Sequence, residues 1–326
     1  MDILVINSKQ VRELLPMNEC MDAMEGALMA LRRGEAINPL RLVTDLPDQH
    51  GYLITMPSVV SGAMGVKVIS VMPHNHGTEF DSHMGAVLLF EAEHGVPLAL
   101  IEAGAITAIR TAAVSGAATR LLAQQHAGDL AILGSGVQAR THLEAMAVAR
   151  QLRRVRVWSR NPEHAQAFAD QESTRVGIQI EPMPSVQAAV TGADLICTTT
   201  SSAEPVLMGE WVSPGTHLNV VGASLPTARE TDTALMVKAR LFVDRRESTM
   251  KESGDFLIPK QEGAIGDDHI QAELGEVLLG QNPGRRSPDE ITLFKSLGLA
   301  IEDLASAQVI YAKAQTHNIG ARVDFG

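Results

Sequence analysis

From about residue 129 the chain alternates short apolar runs with segments of helical character. Asp129-Leu-Ala-Ile-Leu133, Arg154-Val-Arg-Val-Trp-Ser159, Gly177-Ile-Gln-Ile-Glu181, Ala193-Asp-Leu-Ile-Cys-Thr198, Thr216-His-Leu-Asn-Val-Val-Gly222 and Leu241-Phe-Val-Asp244 read as six strands. Helix-start signals lie between them: Asn161 ahead of Pro162, and Ser185 ahead of a stretch ending at Val190. Strands separated by helices predict an α/β fold with a parallel, doubly wound sheet of Rossmann type.

The rest of the chain has another rhythm. Leu15 to Arg32 predicts an amphipathic helix, with Asn18 as N-cap and Gly34 ending it. Between residues 40 and 100 the runs are short and alternating. Tyr52–Met56, Met64–Val71, Gly85–Phe90 and Pro97–Ile101 read as strands, the last two joined in a hairpin at Glu93-His94-Gly95. Ala105 to Leu122 and Ile291 to Ala314 read as helices, and 260–268 and 280–289 as surface loops. The nucleotide-type domain, 116–301, is therefore expected as an insertion into a second α/β domain built from 1–115 plus 302–326.

Composition narrows the function classes. With 326 residues and 45% hydrophobic content there is ample core for two domains, and with 3% aromatics it must rest on Leu, Val, Ile, Ala and Met. The formal net charge of −11 disfavours nucleic acid and anionic membrane surfaces as partners, while a few local cations suffice for an anionic small molecule. No apolar run reaches spanning length and no signal peptide is visible, so no membrane association and a cytoplasmic location are expected. Cys20 and Cys197 make no disulfide framework. His74, His76 and His83 lack a carboxylate or thiolate pattern to complete a metal site, so no metal is expected.

The chemistry centres on Leu133-Gly134-Ser-Gly136-Val137-Gln138-Ala139, which follows the first strand and opens a helix. Gly134 permits a tight turn, Gly136 lets backbone approach a phosphate, and the helix from Val137 points its first amides at the anion. Ala139 fills the third small position of the motif. After the second strand, dinucleotide folds selective for NAD usually place an acid against the ribose hydroxyls. Here stand Ser159 and Arg160, which suit a 2′-phosphate, so NADPH is favoured with NADH open.

Several segments carry a resemblance. They are Gly65-Val-Lys67-Val, Gly104 to Ser115 with Arg110 and Thr111, the glycine loop, Val221-Gly222-Ala-Ser224, Val243 to Glu247 with Glu252-Ser-Gly-Asp255, Glu273-Leu-Gly-Glu276, and Ile291 to Gly298. In this order, and across nearly the whole chain, they resemble the ornithine cyclodeaminase/mu-crystallin family. The resemblance implies a substrate-binding and dimerisation domain joined to a Rossmann domain, a homodimer, and a small imino acid or amino acid as substrate.

The residues can be weighed beside that. Arg41, after Pro39 in a polar-flanked loop, is a solvated arginine or a carboxylate grip, and the family places a carboxylate-binding arginine here. Lys67 sits between apolar neighbours, either facing solvent or buried with a partner; burial would make it a proton donor near neutrality, and the family's active-site lysine aligns with it. Arg110, in a stretch without other charge, needs an anion: a substrate carboxylate, a cofactor phosphate or a protein acid. Glu302 and Asp303, on the last helix, are expected to be solvated or dimer-facing. Ser224 stands where the cyclodeaminase and alanine dehydrogenase branches carry an aspartate, and the ketimine-reductase branch resembles this chain in having serine there. A serine cannot serve as a carboxylate base, but it can hydrogen-bond a carboxylate or an imine nitrogen.

The expectation is NAD(P)H-dependent reduction of a small imino acid (Δ1-pyrroline-2-carboxylate, its six-membered homologue or an acyclic imine such as iminosuccinate), with Lys67 and Ser224 catalytic and Arg41, Lys67, Arg110 and His74 binding substrate. Nucleotide contacts are expected at Ser82, Arg110, Thr111, Gly134, Gly136, Val137, Gln138, Ser159, Arg160, Thr199, Val221, Gly222 and Ser296. The competing readings are an ammonia-lyase of cyclodeaminase type holding NAD, and a non-catalytic binding protein.

Overall fold

A computed structural model describes residues 2–60, 62–75 and 78–326. The chain divides into two compact units, Met1–Arg110 with Gly298–Gly326, and Thr111–Leu297; the division falls within the helix Ala103–Leu122.

The first unit is built on a mixed sheet of eight strands among the described residues. They are β1 (Asp2–Ile6), β2 (Ala36–Ile37), β3 (Leu42–Asp45), β4 (Tyr52–Val60), β5 (Ala63–Val71), β6 (His83–Glu91), β7 (Pro97–Glu102) and a closing strand, Ala321–Asp324. β4 to β7 form an antiparallel meander, β1 adds in parallel to β7, and the closing strand pairs antiparallel with β1. The hairpin between β6 and β7 turns where the sequence predicts. Glu91 shapes it by accepting from the amides of Glu93, His94 and Val96. The register sets Met56, Lys67, Val87 and Ile101 side by side on one sheet face. The helix Ala300–His317 packs on this sheet, and the helix Met17–Arg32 packs on that helix. Met17–Arg32 begins after Pro16, not at Asn18 as expected. Pro16 has φ −61° and suits a helix entry, while a short helix, Ser8–Leu14, capped by Asn7, precedes it.

The second unit is a sheet of eight parallel strands among the described residues, with helices between them. Its strands are β8 (Asp129–Leu133), β9 (Arg154–Trp158), β10 (Ile180–Pro182), β11 (Leu195–Thr198), β12 (His217–Val220), β13 (Arg240–Val243), β14 (Ile270–Glu273) and β15 (Thr292–Lys295). The spatial order is β10-β9-β8-β11-β12-β15-β13-β14, so strand order reverses at β8 and β11. That switch point is where open α/β sheets take ligands. Asn161 and Ser185 cap their helices as expected.

Two expectations are corrected and one strand goes unforeseen. Residues 291–299 are not helical: β15 runs between β12 and β13, and the helix starts only at Ala300. Thr292, Leu293, Phe294 and Lys295 are all fully buried, and a strand covered on both faces shows no alternation to read. β14, an edge strand, also goes unforeseen. The predicted strand at 177–181 shifts forward, because Gly177 takes φ +69° as the end of the helix Pro162–Val176.

Candidate active site

In the first unit the sheet and the last helix bring a buried ionic cluster together. Lys67 Nζ lies 2.7 Å from Asp303 Oδ2, with both side chains at most 2% exposed. Thr107 Oγ1 accepts from the same Nζ at 3.4 Å. Arg110 donates from Nε to Asp303 Oδ1 at 3.1 Å and from Nη1 to Glu302 Oε2 at 3.0 Å. Arg41 donates from Nη2 to the Gly298 carbonyl at 2.9 Å. Gly298 has φ +79°, and a Cβ there would collide with the Arg110 guanidinium, so only glycine lets the two arginines converge.

The energetics follow from burial. Burial pushes the Lys67 pKa down to about 8, opposed by Asp303 and assisted by the positive charges of Arg110 and Arg41. Burial also raises the Asp303 carboxyl, but Arg110 and Lys67 outweigh it and hold it below the ordinary range. Glu302 and Asp303 lie in the first turn of their helix, where the backbone amides favour negative charge. The expectation that these two acids are solvated or dimer-facing is thus overturned. They are buried and supply the anions that Arg110 requires.

In the second unit the glycine loop follows β8 at the switch point. Gly134 has φ +117°, and a Cβ there would lie 2.7 Å from the Thr199 carbonyl oxygen at the end of β11. Gly136 is the N-cap of the helix Val137–Ala149, makes no side-chain cap and would have open space around a Cβ. No acid stands in that helix's first turn, and Val137 is 57% exposed. Gln138 Oε1 and, at the end of β15, Ser296 Oγ are buried without a hydrogen-bond partner among the described residues. Uncapped amides, a glycine cradle and orphaned polar atoms in the first turn of the helix and at the end of β15 fit a dinucleotide with its pyrophosphate on the helix. Ser159 Oγ accepts from Ser135 Oγ at 3.0 Å, and Arg160 is exposed beside it.

The remaining candidates are placed as follows. Thr111 and Val221 are buried, Gly222 is half-buried, and Ser224 is exposed in the loop after β12. Ser82 Oγ bonds His83 Nδ1 at 3.0 Å. His74 is exposed in the 3-10 turn Pro73–Asn75, not on a strand as the i, i+2 pairing of His74 with His76 suggests, and its ring lies 5.9 Å from that of His50. His76 lies outside the described residues. Among those described, Glu91, Glu93 and His94 form a grouping of metal-ligand type, but the Glu91 oxygens already accept three backbone amides.

The family model for the ornithine cyclodeaminase/mu-crystallin family matches residues 1–318. The chain belongs to that family. It is similar to the ketimine reductase mu-crystallin of Mus musculus, 43% identical over 293 residues that cover 88% of this chain and 90% of that protein. Among solved structures it is similar to a Δ1-pyrroline-2-carboxylate reductase of Thermococcus litoralis in complex with NADH and L-proline. That match has a TM-score of 0.96 and 40% identity, and covers 98% of this chain and 100% of the other. An archaeal alanine dehydrogenase dimer with bound NAD matches with a TM-score of 0.95 and 32% identity, covering 100% of both chains.

For this member of the family, sequence reasoning missed the acids. Asp303 and Glu302 carried a usable signal: adjacent carboxylates in a helix whose neighbours Ile301 and Leu304 are apolar. Two further buried charges, Glu230 and Lys295, are also unforeseen, although Lys295 lies in an otherwise apolar run as Lys67 does.

Proposed function

We propose that this protein is a nicotinamide-dependent oxidoreductase that reduces small 2-imino acids to amino acids, with NADPH as its nucleotide and Lys67 as the proton donor. The observation that carries the reading is the fully buried Lys67 held by Asp303 among arginines, in a chain that also builds a dinucleotide cradle. Arg41, Lys67 and Arg110 form a cationic wall for the substrate carboxylate, and Glu302 and Asp303 keep Lys67 and Arg110 in place. When bound, the reduced nicotinamide supplies a hydride to the imine carbon. As that C–H bond forms, the C=N π pair moves onto nitrogen, and the proton from Lys67 Nζ completes the amine. A lysine depressed to about 8 is charged at neutral pH and still gives up its proton readily. Positioning of this kind supplies several of the roughly 7–11 kcal/mol available from orientation. Met56 lies directly opposite Lys67 in the register. Ser224 offers a hydroxyl to the substrate and no carboxylate base, which favours reduction of a preformed C=N bond over deamination.

The preference for NADPH rests on Ser159-Arg160-Asn161 after β9, where no carboxylate meets the ribose. The two buried free thiols, Cys20 and Cys197, fit a reducing cytoplasm. Among the described residues no helix is long and apolar enough to cross a membrane. The partner is a second copy of this chain. The outer face of the first sheet exposes Ile37, Leu42, Leu53, Val68, Met84 and Leu100, a contiguous apolar surface of the kind that marks an interface. The similar alanine dehydrogenase is a dimer.

The test is a panel of Δ1-pyrroline-2-carboxylate, Δ1-piperideine-2-carboxylate and iminosuccinate, each assayed with NADPH and NADH, beside ammonia release from ornithine. Nucleotide oxidation with at least one imine and no ammonia release supports the reading. Ammonia release without imine reduction overturns it.

A further inference from the structure

Behind the ends of β11 and β12 lies a second buried ionic group that the reaction above does not use. Glu230, Asp255 and Lys295 have no solvent exposure. Lys295 Nζ pairs with Asp255 Oδ2 at 2.9 Å and donates to the Ala223 carbonyl at 2.6 Å. Asp255 Oδ1 accepts from the amides of Glu230 and Thr231 and from Thr231 Oγ1. With Asp255 matched by Lys295, the charge of Glu230 rests on four donors. Its Oε1 accepts from the Thr200 amide and Thr200 Oγ1, both at 2.7 Å. Its Oε2 accepts from the Gly222 amide and Thr198 Oγ1, both at 2.6 Å.

These contacts suit an ionised carboxylate and define its place. Each oxygen accepts from a backbone amide, which can only donate, and the ionised form uses all four contacts. Burial, the largest influence, and the charge of Asp255 push the Glu230 carboxyl above its ordinary range, while Lys295 and the hydroxyls of Thr198 and Thr200 pull the other way. The fit is tight, since a Cβ on Gly222 would collide with the Thr200 carbonyl and with Glu230. Thr199, between the two threonines that Glu230 holds, packs against Gly134 of the phosphate loop. In a sheet of this order the adenosine ribose lies by the end of β9. The nicotinamide half therefore crosses toward the ends of β11 and β12.

We propose that Glu230 is a positioning residue for the nicotinamide half of the nucleotide, clamping the ends of β11 and β12, and that its buried charge favours the oxidised, cationic ring over the reduced, neutral one. This rests on the reading that the second unit binds a nicotinamide nucleotide.

The experiment measures direct binding to the full chain: NADH and NADPH by fluorescence, NAD+ and NADP+ by competition. In Glu230→Gln the reduced forms should weaken about tenfold, as buried donors lose their acceptor. The oxidised forms should weaken by about a further threefold or more, as the buried charge is lost. Unchanged affinities overturn the proposal, and so does an equal loss for both redox forms, which is what a purely structural role gives. If Glu230→Gln fails to fold, Thr200→Val keeps the charge and removes one donor. It should weaken both redox forms alike, by roughly two- to fivefold, and unchanged binding overturns the clamp. A protein that binds NADH but reduces no imine sinks only the reading of the preceding subsection. A protein that binds no nucleotide sinks both.

Discussion

Lys67 and Asp303 come from opposite ends of the chain and meet at 2.7 Å, while the other Asp303 oxygen receives Arg110. One carboxylate thus fixes two cations, and removing a partner from a buried pair costs about 3–5 kcal/mol. Asp303→Asn should lower the stability of the folded chain by about that amount and cut kcat by roughly 10²-fold or more. Glu302→Gln, which touches Arg110 but not Lys67, should destabilise comparably with a smaller loss of kcat. Urea titrations beside steady-state kinetics check both. An Asp303→Asn enzyme with undiminished kcat would show that the pair is structural only.

The depressed Lys67 pKa sets a pH dependence with a definite sign. The reduction needs lysine with its proton, so kcat should be level below pH 8 and fall by about tenfold per unit above it. The reverse reaction, oxidation of the amine, needs neutral lysine and should rise through the same pH. Opposite limbs with a shared midpoint near 8 tie both directions to one group. A reductive profile flat to pH 10 removes Lys67 from the role of donor.

Much of this arrangement is legible in the amino-acid sequence. The glycine loop, the strand and helix alternation around it and the hairpin at Glu93–Gly95 all rest on local signals: turn residues, caps and short apolar runs. Lys67 and Arg110 stand out because a cation among apolar neighbours demands a partner. The partners themselves are not legible, because Glu302 and Asp303 join Arg110 only through long-range packing. The strand at Thr292–Lys295 is hidden for a related reason. Buried on both faces, it carries no alternation, and helical and strand patterns cannot be told apart over four residues.

Gly134 couples backbone geometry to nucleotide binding. Its φ of +117° is closed to ordinary side chains, and a Cβ would press on the Thr199 carbonyl. Gly134→Ala should cost roughly 1–3 kcal/mol in strain and weaken NADPH binding by at least about tenfold as the loop leaves the helix N-terminus. Gly136→Ala meets no protein atom within 4 Å. It should leave stability almost unchanged while still weakening the nucleotide, because its Cβ would occupy space meant for phosphate. Affinity unchanged from the unaltered chain in both variants would place the phosphate elsewhere.

His142 and His217 make the second unit acid-sensitive. Both are fully buried, and burial lowers their pKa values to about 4 and about 3, the latter assisted by the positive charge of Arg285. Unfolded histidine titrates near 6.5. Below that pH the unfolded chain takes up protons that the native state refuses. Their stabilisation is therefore complete above pH 6.5 and is lost progressively toward pH 4, by at most about 1.4 kcal/mol per unit for each histidine. Urea midpoints at pH 7 and pH 5 measure the slope. His142→Gln should flatten it, and an unaltered slope would mean that the imidazole is not held neutral.

The proposed dimer rests on the outer face of the first sheet. Leu53 and Val68 lie on the face opposite Lys67, 41% and 37% exposed, with Met84 and Leu100 on neighbouring strands of the same face. In a twofold interface each substituted position is met twice, so Val68→Glu introduces two buried like charges. That costs several kcal/mol, which a complex of ordinary affinity does not survive. The face is remote from the sheet's internal packing, so the fold should persist. Sedimentation velocity of the unaltered chain should show a dimer and that of Val68→Glu a monomer with an unchanged far-ultraviolet spectrum. If the unaltered chain sediments as a monomer, the apolar face serves another purpose and the second copy is excluded.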